Sequence, residues 1–135
     1  MALLSNLSNY KNLGLLTIRI GLGVMFIMHG YPKLMGGPGG WKHLGGAMHI
    51  IGIHFLPVVW GLLSALAETL GGLLVLLGLA FRPACLFLVF NLAMATVSHF
   101  SKGDDILTAS HAIELAFVFA GLLFVGPGKY SVDKK

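Results

Sequence analysis

Four long apolar runs leave little room for anything except a bundle of membrane-spanning helices. They cover residues 13–34, 57–81, 83–100 and 109–125 of the 135-residue chain. Each approaches the ~20 residues that an α-helix needs to cross a hydrocarbon layer about 30 Å thick. Only 10% of the residues are charged, whereas soluble domains average about 25%. The sequence therefore predicts an all-α fold, a four-transmembrane-helix bundle that forms one membrane domain over residues 1–135.

The basic residues in the loops predict how the chain is oriented. If the N-terminus is cytoplasmic, five of them lie on that side and three on the other. Since cytoplasmic loops carry the excess of Lys and Arg, both termini are expected to be cytoplasmic, in the inner membrane of a cell. The five are Lys11, Arg82, Lys129, Lys134 and Lys135, and the three are Lys33, Lys42 and Lys102. A net charge of +4 scattered in this way gives no nucleic-acid-binding surface.

The first loop and the lone cysteine carry two further constraints. Residues 35–56 are rich in glycine and too apolar for a solvated linker, and they contain His43, His49 and His54. This favours a short interfacial helical segment, acting either as a cap on the bundle or as a gate for a ligand dissolved in the membrane. With Cys85 as its only cysteine, the chain can form neither an internal disulfide nor a dithiol relay.

Three charged residues interrupt the apolar runs. Arg19, Glu68 and Glu114 lie inside predicted spans, where each costs roughly 2.5–3.5 kcal/mol at the bilayer centre if it is unpaired. Helical rise places both carboxylates near mid-membrane with Arg19 within reach. The sequence thus predicts an ion pair of Arg19 with Glu68, Glu114 or both. Helical rotation adds Asn91 to the inward polar face, which gives a polar core of Arg19, Glu68, Glu114 and Asn91.

Histidines form a second predicted layer outside this core. His99, His111 and His29 fall at a similar depth, with Lys33 just beyond them. His99, His111 and Glu114 are the candidates for proton handling and hence for catalysis. His29 and Lys33 are expected at the mouth of the cavity, although His29 lies about 80° from the line of Arg19 at 100° per residue.

Four kinds of chemistry remain open for these residues. The charges could form a structural clamp, handle protons beside a quinone, or line a path for transport. A haem or metal on the histidines is the weaker interpretation, because no residue that would orient them can be identified. No metal site is predicted.

The chain resembles the DoxX family of small four-helix membrane proteins over essentially its whole length. The matching stretches are residues 19–34, residues 66–72 with Gly78 and Arg82, residues 91–99, Glu114, and residues 126–133. The resemblance implies a link to membrane oxidoreductases, since the family takes its name from subunits associated with a thiosulfate:quinone oxidoreductase. Residues 41–54 are not part of the pattern, so no family role transfers to their histidines.

These observations together predict an integral membrane protein that acts as a quinone-facing subunit or accessory factor of a redox system. No residue of the chain can store two electrons, so turnover would need a bound cofactor, such as a quinone, or a redox partner subunit. Whether the chain is itself an enzyme stays open. The alternatives are a non-enzymatic protein that binds or transports a small solute or lipid, and a structural subunit of a membrane complex. The expected partners are the lipid bilayer, the redox subunit and further copies of the chain.

Overall fold

The computed structural model describes residues 3–133, in which helices are joined by short turns and no strand occurs. Four of the helices are long and apolar enough to cross a membrane, which confirms the predicted all-α bundle. Lys134 and Lys135, two of the five basic residues counted for orientation, lie outside the described residues. The α-helices are α1 (Lys11–Leu34), α2 (Gly37–Gly45), α3 (Pro57–Leu77), α4 (Phe81–Ser101) and α5 (Ile106–Val125), and 3₁₀ turns cover Ser5–Tyr10 and Gly46–Ile51.

Glycines allow α1 and α3 to approach each other closely. A Cβ on Gly23 would lie 2.8 Å from the carbonyl oxygen of Gly72, and one on Gly30 would lie 2.5 Å from the backbone nitrogen of Thr69. Small residues take this role in membrane bundles, where van der Waals contact between helices replaces the hydrophobic effect. The close approach sets Lys33, near the end of α1, over the middle of α3.

The apolar core lies between α1, α3, α4 and α5. Phe26 of α1 and Phe119 of α5 meet edge to face with their ring centroids 5.2 Å apart, an arrangement that aromatic quadrupoles favour. Val75, Phe81 and Leu88 are fully buried beside them, and so is Cys85. The lone thiol therefore packs as a small apolar residue, away from the surface.

The first loop folds across one end of the bundle, and the short helical segment predicted there is confirmed. Trp41 of α2 donates from Nε1 to the carbonyl oxygens of Lys33 and Leu34, each at 3.2 Å. Gly61 of α3 contacts α2 so closely that an added Cβ would collide with the carbonyl group of Trp41. We call this the loop end of the bundle; it also contains the α4–α5 turn.

The opposite end, which we call the termini end, is held by hydrogen bonds from the last residues of the chain. The carboxylate of Asp133 accepts from the backbone nitrogens of Ala80 and Phe81 at 3.0 and 2.8 Å. These are donors at the start of α4 that no carbonyl of the helix can satisfy. Asn12 accepts from the backbone nitrogen of Lys129 at 2.9 Å. The C-terminal segment thus ties α1 to the α3–α4 turn.

Candidate functional site

Arg19 makes none of its hydrogen bonds with a carboxylate, so the ion pair predicted with Glu68 or Glu114 is wrong. Its guanidinium donates to the carbonyl oxygens of Val75 and Leu76 at 3.0 and 2.8 Å, and to those of Tyr130 and Pro127 at 2.7 and 3.4 Å. The residue is only 2% exposed. The last carbonyls of a helix lack partners within that helix, and Arg19 reaches toward the termini end to satisfy them. It joins the end of α3 to the C-terminal segment.

Glu68 instead forms a polar cluster with residues of α1 and α4. Lys33 Nζ contacts both of its carboxylate oxygens, at 2.8 and 2.9 Å, and Asn91 Nδ2 donates to Oε1 at 3.0 Å. Ser64 Oγ donates to Asn91 Oδ1 at 2.7 Å. The structure therefore brings together Glu68 and Asn91, two members of the predicted core. Lys33, which the sequence assigned to the mouth, is the cation that pairs with Glu68.

The two charged members of this cluster, Lys33 and Glu68, differ in how exposed they are. The Glu68 side chain is 10% exposed and that of Lys33 is 39% exposed. The ammonium group thus remains partly accessible while it pairs with an almost buried carboxylate. The Lys33 ammonium is a compact charge on a flexible side chain and can change position. The Arg19 guanidinium is held by four carbonyls and cannot. The cluster consists entirely of side chains and can rearrange around a ligand.

A cavity of about 1030 Å³ lies against the cluster, between α3 and α4 and beneath the first loop. Several of its apolar lining residues are themselves about half exposed or more, among them Leu63, Leu70, Phe87 and Phe90. In a spanning helix, exposed apolar side chains face hydrocarbon, so the cavity is open to the side as well as toward the loop end. Its polar lining residues are Lys33, His43, Ser64, Glu68, Asn91, Ser98, His99, Ser101 and Lys102.

His99 is the one predicted catalytic histidine that lines this cavity. Its Nδ1 lies 2.8 Å from Asp104 Oδ2, in the turn that follows α4. A carboxylate at this position fixes the orientation of the ring. Because Nδ1 is engaged, a ligand in the cavity would meet Nε2. The neighbouring Asp105 caps α5 by accepting from the Thr108 backbone nitrogen at 2.8 Å.

Glu114, His111 and His29 lie outside the cavity, and the inward orientation expected for Glu114 is wrong. All three are exposed, and the rings of His29 and His111 are 6.4 Å apart, on the seam between α1 and α5. The buried stripe of α5 runs through Ala112 and Phe119, about 150° around the helix from Glu114 at 100° per residue. His111 and Glu114 do share a face, but that face points outward.

Two contributors to the site, Ser64 and Asp104, are not among the site residues predicted from the sequence. Ser64 lies four residues before Glu68, a spacing that puts both on one face of a helix, and this signal was available. Asp104 follows His99 by five residues across a turn that no periodicity describes. The loop histidines His49 and His54 contact each other through Nδ1 at 2.8 Å and are exposed.

The cavity combines hydrogen-bond donors, a carboxylate and apolar walls. Within residues 3–133 no group of three or more His, Cys, Asp and Glu side chains is placed to hold a metal ion. Lys33 and Asn91 offer N–H donors beside Glu68, about halfway along α3 and α4. Pockets of this kind, mostly apolar with a few convergent polar groups, are typical of ligand sites.

Comparison with known proteins places these residues in a family. The chain is similar to inner membrane protein YphA of Escherichia coli (strain K12), at 28% identity over 90% of this chain and 89% of that protein. It is also similar to inner membrane protein YqjF of the same organism, at 32% identity over 92% of each chain. No solved structure matches. Residues 14–101, which contain Arg19, Lys33, Glu68, Asn91 and His99, match DoxX. This integral membrane protein therefore belongs to the DoxX family.

Proposed function

We propose that this protein is a quinone-facing subunit or accessory factor of an inner-membrane redox system, and that the cavity between α3 and α4 holds the quinone head group. The observation that carries the proposal is the Lys33–Glu68–Asn91 cluster, about halfway along α3 and α4, beside a cavity lined in part by exposed apolar side chains. A quinone reaches its sites from the hydrocarbon layer, so a lateral opening suits it better than it suits a water-soluble substrate.

The donor set matches a molecule with carbonyl oxygens. The amide of Asn91 and the ammonium of Lys33 are hydrogen-bond donors that approach Glu68 from α4 and α1, and a ligand carbonyl could share either one. The cavity volume of about 1030 Å³ is at the upper end of the roughly 300–1000 Å³ typical of ligand pockets. It has room for a substituted ring and the first part of an apolar tail.

Two groups of the chain can hold protons for this chemistry. When bound, a quinone supplies two-electron, two-proton redox chemistry, with electrons delivered by a partner subunit. Glu68 is placed to hold or release a proton at its carboxylate, and Lys33 compensates its charge. His99, oriented by Asp104 and lining the same cavity toward the loop end, is placed to exchange protons with the aqueous surface.

The location follows from the same evidence and from the relatives. Both similar Escherichia coli proteins are named inner membrane proteins, and the same membrane is proposed here. The count of five basic residues against three favours cytoplasmic termini. In that orientation the loop end, with His99 and Lys102, faces the other side of the membrane.

The decisive measurement is the amount of quinone that remains bound through purification. The protein is extracted in mild detergent, and quinone per mole of protein is determined by extraction and mass spectrometry. Glu68→Gln and Asn91→Leu are expected to lose most of it. Glu114→Gln, which removes a carboxylate at similar depth but outside the cavity, should retain it. Equal quinone content in all four proteins, or none in the wild type after growth with excess quinone, would refute the proposal.

A second function has one observation in its favour. Lys102 and His43 lie at the rim of the cavity near the loop end, so its mouth can carry positive charge that would suit an anionic lipid head group. The same mass spectra would then show phospholipid in place of quinone, with its amount reduced in Lys102→Gln and unaffected by Glu68→Gln. This pattern would indicate lipid binding or transport without redox chemistry.

A further inference from the structure

The outward face of α5 carries a regular stripe. Its members are all exposed, and they follow one another at alternating intervals of four and three residues. This is the heptad spacing that places residues along the seam between two packed helices. The stripe is Leu107, His111, Glu114, Val118, Gly121 and Val125. Among residues 3–133, His111 of this stripe lies beside His29 of α1, with ring centroids 6.4 Å apart, and every member of the stripe is exposed.

Two polar residues lie in the middle of this stripe. Glu114 is the ninth of the 20 residues of α5, and His111 lies one turn nearer the loop end. Among residues 3–133, Glu114 has neither a hydrogen-bond donor nor a cation within bonding distance. Ionisable side chains in spanning helices almost always face protein or water, because hydrocarbon cannot solvate them. The stripe therefore requires a cover that supplies a donor to Glu114.

Space for another helix exists beside the stripe. A Cβ built on Gly121 of α5, or on Gly14 or Gly21 of α1, would have nothing within 4 Å. The packing of the chain itself thus gives no reason for glycine at these three positions, although glycines are what allow another backbone to approach. A cavity of about 550 Å³ lies between α1 and α5 at the termini end, and its lining includes Gly14, Ile18 and Val125.

We infer that this face binds a second copy of the chain, with α5 against α5 around a two-fold axis along the membrane normal. Two copies inserted in the same orientation present the stripe to each other at equal depth. Glu114 of one copy and His111 of the other are then about 4.5 Å apart along the helix axis, a distance that a flexible glutamate side chain can span. Each His111 then donates to the opposite Glu114, so the pairing forms twice.

The second copy fits this face better than an unrelated helix would. The stripe carries both an acceptor, Glu114, and a donor, His111, and His29 lies beside His111 on α1. A two-fold interface requires such a self-complementary patch. An unrelated partner would have to bring its own donor to mid-membrane at the same depth. The two cavities beside Glu68 remain open, because they lie between α3 and α4, away from the seam.

Oxidative cross-linking tests this arrangement with two neighbouring positions. In full-length protein with Cys85→Ala, Val125→Cys lies on the stripe, and Phe124→Cys is off it by 100°, although Phe124 is the more exposed of the two. After treatment of membranes with copper phenanthroline in air, Val125→Cys is expected to give at least about tenfold more disulfide-linked dimer than Phe124→Cys. Equal cross-linking at the two positions would overturn the inference, and so would a cross-link to a protein of different mass.

Two further variants separate loss of pairing from loss of folding. Gly121→Leu adds bulk where the chain itself has no contact, and Glu114→Ala removes the acceptor. Both are expected to keep the helical circular dichroism of the wild type and to reduce the dimer in native mass spectrometry by about tenfold or more, the scale of a hydrogen bond between membrane helices. Wild-type protein that is monomeric in nanodiscs, or variants that remain fully dimeric, would contradict the inference.

Discussion

Arg19 and Glu68 are both charges buried in membrane-spanning helices, but the structure satisfies them in different ways. Arg19 donates only to backbone carbonyls, at the end of α3 and in the C-terminal segment. Glu68 is held by side chains, Lys33 and Asn91, beside a large cavity. Backbone partners cannot move without refolding a helix, whereas side-chain partners can exchange for a ligand. The first charge is therefore architectural, and the second is the better candidate for function.

The different partners also follow from the two charged groups. A guanidinium has five N–H donors in a fixed fork and no acceptor, which suits the several unpaired carbonyls at a helix C-terminus. That end also carries the negative pole of the helix dipole. A carboxylate has only acceptors and needs donors, which at mid-membrane must come from side chains, since the backbone donors there are used within the helices. Depth along the helix thus decides which kind of partner is available.

The largest effect is expected from Arg19→Leu. Removing the guanidinium takes a donor away from the carbonyls of Val75, Leu76 and Tyr130, and each buried group left without a partner costs about 1–3 kcal/mol. The free energy of unfolding in nanodiscs measures this loss. Arg82→Leu is the matched control, because Arg82 donates to Leu123 O at 3.0 Å but is exposed; about 1 kcal/mol is expected there. Similar losses in both variants would remove the distinction between a buried clamp and an ordinary surface arginine.

The next prediction tests how α2 packs against α3 above the Glu68 cavity. In Gly61→Ala the new methyl group collides with the carbonyl of Trp41, so α2 must move away from α3, at a cost of about 1–3 kcal/mol. Gly40→Ala in α2 is the control, since a Cβ there meets nothing within 4 Å, and it should be neutral or stabilising by up to about 1 kcal/mol. The thermal unfolding temperature should thus fall in Gly61→Ala and stay level or rise in Gly40→Ala. Shifts of the same size and sign would show that α2 is not packed as described.

A smaller effect separates the pairing observed from the pairing that the sequence suggested. A double-mutant cycle of Lys33→Met with Glu68→Gln should show a coupling of about 1 kcal/mol, within the range for residues in contact. The cycle of Arg19→Lys with Glu68→Gln should stay below about 0.5 kcal/mol, as expected for sites without shared partners. Unfolding free energies of the six proteins supply both values. A large Arg19–Glu68 coupling would restore the pairing predicted from the sequence.

The sequence predicts how deep a residue lies in the bundle better than it predicts which way its side chain points. Run length and helical rise placed Glu68 near mid-membrane, helical rotation added Asn91 to the inward face, and the structure brings the two together. The outward position of Glu114 could not be derived, because α5 is apolar on nearly every side, so its pattern does not distinguish the face toward the bundle from the face toward lipid. The same applied to His111, which lies with His29 on the α1–α5 seam.

Side-chain reach accounts for the partners of Arg19 and Lys33, which the sequence did not predict. Arg19 lies about a third of the way along α1, and its long side chain could extend toward either end; the sequence contains no information on the carbonyls of Val75 and Leu76 that determine the choice. Lys33 was assigned to the mouth from its depth alone. Its side chain extends back into the membrane toward Glu68 because the close packing of Gly30 against α3 brings the two helices together.

The smallest effect is expected at Asp105, a charge that is exposed, in contrast to the buried Arg19 and Glu68. Hydrogen bonds from the hydroxyl and the backbone nitrogen of Thr108 lower the pKa of Asp105. A lowered pKa in the folded state means that the ionised cap stabilises the protein above the unfolded pKa of about 3.9, and that this contribution is lost as the pH falls through the folded value. The melting temperature of Asp105→Ala should therefore lie slightly below that of the wild type at pH 7, and the gap should narrow below about pH 4. Asp105→Asn keeps an acceptor for Thr108 without a titrating group, so it should lose less at pH 7 and show little change across this range. A gap for Asp105→Ala that widened on acidification would mean that the cap acts through something other than the ionised carboxylate.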